Sequence, residues 1–60
     1  MNTREMAEAM RLSDNSALQR AAVVYLTLSD ATDVVSSDEV GSLLLGAGMV
    51  IRALFSGEDA

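Results

Sequence analysis

Cysteine, histidine, proline, tryptophan and lysine are all missing from this 60-residue chain. Without cysteine there is no disulfide, and without cysteine or histidine the usual zinc sites are excluded. The same two absences remove the side chains that most often act as base or nucleophile near neutral pH. Serines and carboxylates remain, but they have no base partner. No catalytic residue, metal site or cofactor is therefore expected. Gly41, Gly46 and Gly48 sit in an apolar run with no lysine after them, so they do not form a phosphate-binding loop. With no proline, serine, aspartate, asparagine and glycine must supply all the chain breaks.

Half of the residues count as hydrophobic, but nine of these thirty are alanine, and the only aromatic residues are Tyr25 and Phe55. A chain of this length buries only about 60% of the surface its unfolded form exposes. Small scaffolds compensate with disulfides, a metal or oligomerisation. The first two are excluded here, which leaves a homo-oligomer as the expectation. The formal net charge of −5 argues against direct binding to nucleic acid or to a membrane surface, since both are anionic. Arg4, Glu5 and Glu8 near the N-terminus do not make the basic end and apolar run of a signal peptide, so a cytoplasmic location is expected. The lack of cysteine neither requires nor excludes an oxidising compartment.

The pattern predicts an all-α fold in a single domain over residues 1–60, with helices at about 3–12, 15–29 and 37–55 and a frayed tail at 56–60. Asn2 followed by Glu5 has the spacing of a capping box, and Met6, Ala9 and Met10 share a face behind it. The polar stretch Ser13 to Ser16 breaks the chain and supplies the next cap. In the second helix Ala17, Leu18, Ala21, Val24, Tyr25 and Leu28 fall on one arc. Val34 and Val35 are expected to tuck into the core beyond a turn at Ser29–Asp33. Ser36 followed by Glu39 repeats the capping-box spacing, with Ser37 the other candidate cap for the third helix, and Gly57 is placed to end that helix. The expected arrangement is an antiparallel hairpin of helices two and three, crossed by helix one and completed as a homodimeric bundle.

The third helix carries most of the functional signal. Val40 to Ile51 is a run of twelve residues without a charge, shorter than the roughly 20 apolar residues of a membrane span. Because Arg52 ends the run, a transmembrane helix is not expected. One broad arc holds Val40, Leu43, Leu44, Ala47, Val50, Ile51, Leu54 and Phe55, enough to pack on the other two helices. The opposite side holds Gly41, Ser42, Leu45, Gly46, Gly48, Met49 and Arg52, where a solvent-facing helix would carry charges. Gly41 and Gly48 are seven residues apart and nearly superposed, so two backbones could approach closely there. A self-association face of Gly41, Leu45, Gly48, Met49 and Arg52 is the expectation. The alternatives are that the glycines admit another helix of the same chain, or that they break the segment in two.

Asp30, Asp33, Asp38 and Glu39 form an acidic loop. They lack the alternating ligands and central glycine of a calcium loop, and capping plus solvation accounts for them. A partner-facing role against a basic surface is the functional alternative. The stretch from Arg20-Ala21-Ala22 through Leu28-Ser29-Asp30-Ala31-Thr32-Asp33-Val34-Val35-Ser36 resembles a helix-turn-helix, which implies a DNA-binding or repressor-associated module. The recognition helix it implies carries Asp30 and Asp33 and no basic residue, whereas phosphate contacts usually come from arginine or lysine. The sequence thus predicts a small regulator, inhibitor or adaptor that binds a larger protein, with a structural subunit of a larger assembly as the other alternative.

Overall fold

A computed structural model describes residues 1–59 of the chain. Three helices follow one another, α1 (Thr3–Met10), α2 (Ser16–Thr32) and α3 (Asp38–Asp59), with no strand among the described residues. The all-α three-helix architecture agrees with the sequence pattern. The α2–α3 pair is the most extensive interface, and α1 packs against both.

Each helix starts where a short polar side chain satisfies backbone donors that the first turn leaves open. Asn2 Oδ1 accepts from the Glu5 amide at 2.8 Å, and the Asn2 amide donates back to Glu5 Oε1 at 3.0 Å, so the capping box of α1 is complete. Asn15 Oδ1 accepts from the Ala17 amide at 3.0 Å to open α2. Ser37, not Ser36, begins α3: its hydroxyl faces the Val40 amide at 3.5 Å and its carbonyl accepts from the Gly41 amide. The residue three places after Ser37 is Val40, so the expected Ser36–Glu39 capping box does not form. Asp38 and Glu39 still lie in the first turn, where negative charge suits the helix dipole.

The helix boundaries differ from expectation at three places. Helix α1 stops at Met10, and Leu12 turns outward at 79% exposure. Helix α2 runs on through the anticipated turn to Thr32, with the Thr32 hydroxyl donating to the Ser29 carbonyl at 2.7 Å. The stretch that resembles a helix-turn-helix is therefore one continuous helix followed by a loop, and Asp30 belongs to the end of α2 and not to a recognition helix. Val34 and Val35 do not reach the core. Their amides bond to the Ala31 carbonyl, and their side chains are 84% and 50% exposed. Gly57 lies inside α3 and no described glycine has positive φ, so the expected glycine cap is absent among the described residues. Residues 56–59 continue the helix, while Ala60, also part of the expected frayed tail, lies outside the described residues.

The core consists of Ala7, Met10, Ala22 and Ile51, with Leu18, Tyr25, Leu54 and Phe55 among the half-buried residues around it. Two of its four members are alanines, one on α1 and one on α2, which lets the helix axes approach closely. Placing Ala22 at the centre turns α2 away from the expected arc. Val24 is 55% exposed and Ala17 is also outside, while Leu18, Ala21 and Tyr25 still face inward. Arg4 fastens the start of α1 to the end of α2. Its guanidinium donates to Ser29 Oγ at 3.0 Å and lies 3.4 Å from Asp30 Oδ1, with Glu8 3.5 Å away on its own helix.

Candidate functional site

Helix α3 is 22 residues long, about 33 Å at 1.5 Å per residue, and Ile51 is its one fully buried side chain among the described residues. The face turned to α1 and α2 is formed by Leu44, Ala47, Gly48, Ile51, Leu54 and Phe55, all half-buried or better. Relative to the arc expected from the sequence, the helix is rotated by about 40° at 100° per residue. Leu43 and Val50, expected inside, are therefore 60% and 51% exposed. Gly41 and Gly48, expected outside, are half-buried instead.

Gly48 lies on the inward face, opposite α1 and α2. A Cβ built there would stand 3.5 Å from Tyr25 Cε2 and 3.6 Å from Thr3 Cγ2. These are ordinary contact distances, so a small residue packs here against the α2 ring and the start of α1, the internal-packing alternative for this glycine. Gly41 and Gly46 would each place a Cβ in open space. Of these three glycines, Gly46 is the one that is exposed.

Leu45 and Met49 lie where the sequence placed them, 74% and 73% exposed, and Arg52 is exposed beside them. These three and Gly48 line one groove with Thr3 and Tyr25. Four of the five anticipated self-association residues are thereby brought together, and Gly41 is not among them. The outer surface also gathers Ser42, Gly46 and Ala53, all exposed. Sequence reasoning named Ser42 and Gly46 for this side but gave the contact to Gly41 and Gly48. Between Glu39 and Glu58 the helix carries one charge, Arg52.

The stretch Asp38–Gly57 is long and apolar enough, by length and composition, to cross a membrane, and 11% of its apolar window is buried in the fold. The expectation that the run ends too short at Arg52 counted only uncharged residues; the 20-residue stretch reaches this length with Asp38, Glu39 and Arg52 included. Both ends of the stretch are acidic, with Asp38 and Glu39 as its first two residues and Glu58 and Asp59 directly after it. The basic flank that commonly orients a membrane span is missing there.

The acidic loop residues are all exposed but do not form one site. Asp30 is held by Arg4, Asp33 caps the end of α2, and Asp38 and Glu39 start α3. No group of acidic side chains among the described residues is arranged to hold a metal ion. No family model, curated protein or solved structure matches the chain.

Proposed function

We propose that this chain is a small acidic interaction module that acts without catalysis, as a regulator, inhibitor or adaptor of a larger protein, and that α3 provides its binding surface. The observation that carries this reading is the outer face of α3, where Leu43, Leu45, Met49 and Val50 are 51–74% exposed in a stretch, residues 40–57, whose one charge is Arg52. An outward helix face without charges is the pattern of a face covered by something else. A homodimer acting on the larger protein fits the same surface. The exposed acidic positions Asp33, Asp38 and Glu39 then suit a basic region of that protein, while Asp30 is already engaged by Arg4.

A membrane is the second reading, because the length and composition of Asp38–Gly57 permit it. The acidic ends and the arginine inside the stretch favour protein over lipid. The test is recovery of the chain from its source cells, with wild type compared against Leu45→Asp and Met49→Asp. Co-purifying protein from the detergent-free extract, lost in both variants and retained in Val34→Asp, is the expected result. The same set of co-purifying proteins in all four samples would overturn the reading. Recovery in the membrane fraction alone, released only by detergent, would replace the protein partner with lipid.

A further inference from the structure

Three exposed residues of α3 repeat at intervals of seven: Asp38, Leu45 and Arg52. Seven residues are almost two turns, so each heptad drifts by only about 20° and the three lie along nearly one line of the helix. This line is acidic at one end, apolar in the middle and basic at the other. Neither Asp38 nor Arg52 makes an ion pair among the described residues, where both ion pairs belong to Arg4. Beside it runs a second line, Ser42 and Met49, also exposed and also seven apart.

Such a line is complementary to itself when reversed. We infer that the outer face of α3 pairs with α3 of a second copy in antiparallel register, with the two-fold axis at Leu45 and Arg52 of each copy against Asp38 of the other. This rests on the reading of α3 as the binding surface and names its occupant. Asp38 and Arg52 are each about 10 Å from Leu45 along the axis, in opposite directions. Reversal about Leu45 therefore superposes their heights. It also brings the long Met49 side chain within about 1.5 Å in height of the short Ser42 of the partner, and places Leu45 against its own counterpart. Exposed Gly46, whose Cβ position is empty, leaves room for close approach next to the axis. A parallel pair would put Asp38 beside Asp38 and Arg52 beside Arg52, so like charges disfavour it. The arrangement is isologous and closes as a dimer, so it does not propagate.

The test is sedimentation equilibrium of the full chain with single and double charge reversals, with helicity followed by circular dichroism. Wild type is expected to dimerise, and Arg52→Glu or Asp38→Arg should each weaken the dimer by about tenfold. The double variant Asp38→Arg with Arg52→Glu should recover wild-type affinity, because the pair is restored with its signs exchanged. Asp38→Arg also acts on the helix start, so the recovery is the decisive reading and not the single loss. As an independent check, Leu45→Cys should oxidise to a covalent dimer, since the chain has no other cysteine, while Leu43→Cys should not. A dimer lost in Met49→Asp but indifferent to both charge reversals overturns this register and leaves α3 as the binding surface. A folded monomer at every concentration overturns the second copy as occupant. A dimer untouched by Met49→Asp overturns this inference and removes self-association as support for α3 as the binding surface.

Discussion

Helices α1 and α3 solve opposite problems. Helix α1 is eight residues long, yet it buries Ala7 and Met10 completely and carries Arg4, Glu5 and Glu8 on its outer side. Its inward stripe and charged exterior match its surroundings, and its start is closed by a two-way capping box. Helix α3 is nearly three times as long and buries only Ile51 completely among its described residues. Between Glu39 and Glu58 its exterior carries one charge, Arg52, so its apolar surface exceeds what this fold can cover. A short helix can thus be fully accounted for by its own chain while a long one is not. In a protein of this size, the surplus is where binding should be sought.

The largest expected effect that sharpens this contrast is at the one α3 side chain that the fold fully uses. Ile51→Ala leaves a cavity between all three helices, and removing a buried isoleucine costs about 2–5 kcal/mol. With four fully buried core residues among the described residues, this should abolish the cooperative thermal transition seen by circular dichroism. Retention of a sharp transition near the wild-type temperature would mean that α3 is held mainly by other contacts.

A smaller effect is expected at the start of α1. Asn2→Ala removes the side-chain half of the capping box, in which Oδ1 accepts from the Glu5 amide, and should cost about 1 kcal/mol in urea unfolding. If the loss is negligible, packing and not capping holds α1, and the contrast with α3 loses one of its grounds. At Gly48 the expected change has the opposite sign. An alanine Cβ meets Tyr25 and Thr3 at ordinary contact distance, so Gly48→Ala should stabilise the fold by up to about 1 kcal/mol through helix propensity. Gly48→Leu extends further into Tyr25 and Thr3 and should destabilise the fold by about 1–3 kcal/mol. Equal tolerance of alanine and leucine would show that α1 and α2 do not close on this position.

The smallest effect should come from Arg4→Ala. Its ion pairs with Glu8 and Asp30 are solvent-exposed, and such pairs contribute about 0.2–1 kcal/mol, reduced by salt. A loss that persists in high salt would show that the hydrogen bond to Ser29, and not charge, fastens α1 to α2.

Much of the local structure was legible in the sequence because its causes are local. Asn2 with Glu5, Asn15 and Ser37 are short polar residues just before helical stretches, and each caps one. The end of α2 was harder to read, because Ser29, Asp30 and Thr32 are turn-forming residues that here remain helical. Thr32 bonds back to the Ser29 carbonyl, and Arg4 from another helix holds Ser29 and Asp30. In the candidate site Leu45, Met49 and Arg52 could be read from their uncharged surroundings. Gly41 and Gly48 could not be assigned a side, since a residue without a side chain has no polarity to reveal which way it faces.

The sequence by itself determined three helices, the capping box of the first and the surplus of apolar surface on the third, because periodicity and capping act over three or four residues. It also determined the reversal of charge along Asp38, Leu45 and Arg52, which is a matter of spacing alone. Only the tertiary structure decided the rotation of each helix about its own axis. That angle depends on which small residues let neighbours approach. Ala7 and Ala22 lie at the centre of the core, and Gly48 packs inward at contact distance from Tyr25 and Thr3. Such a fit is a property of side chains from three helices at once, which no window along the chain contains.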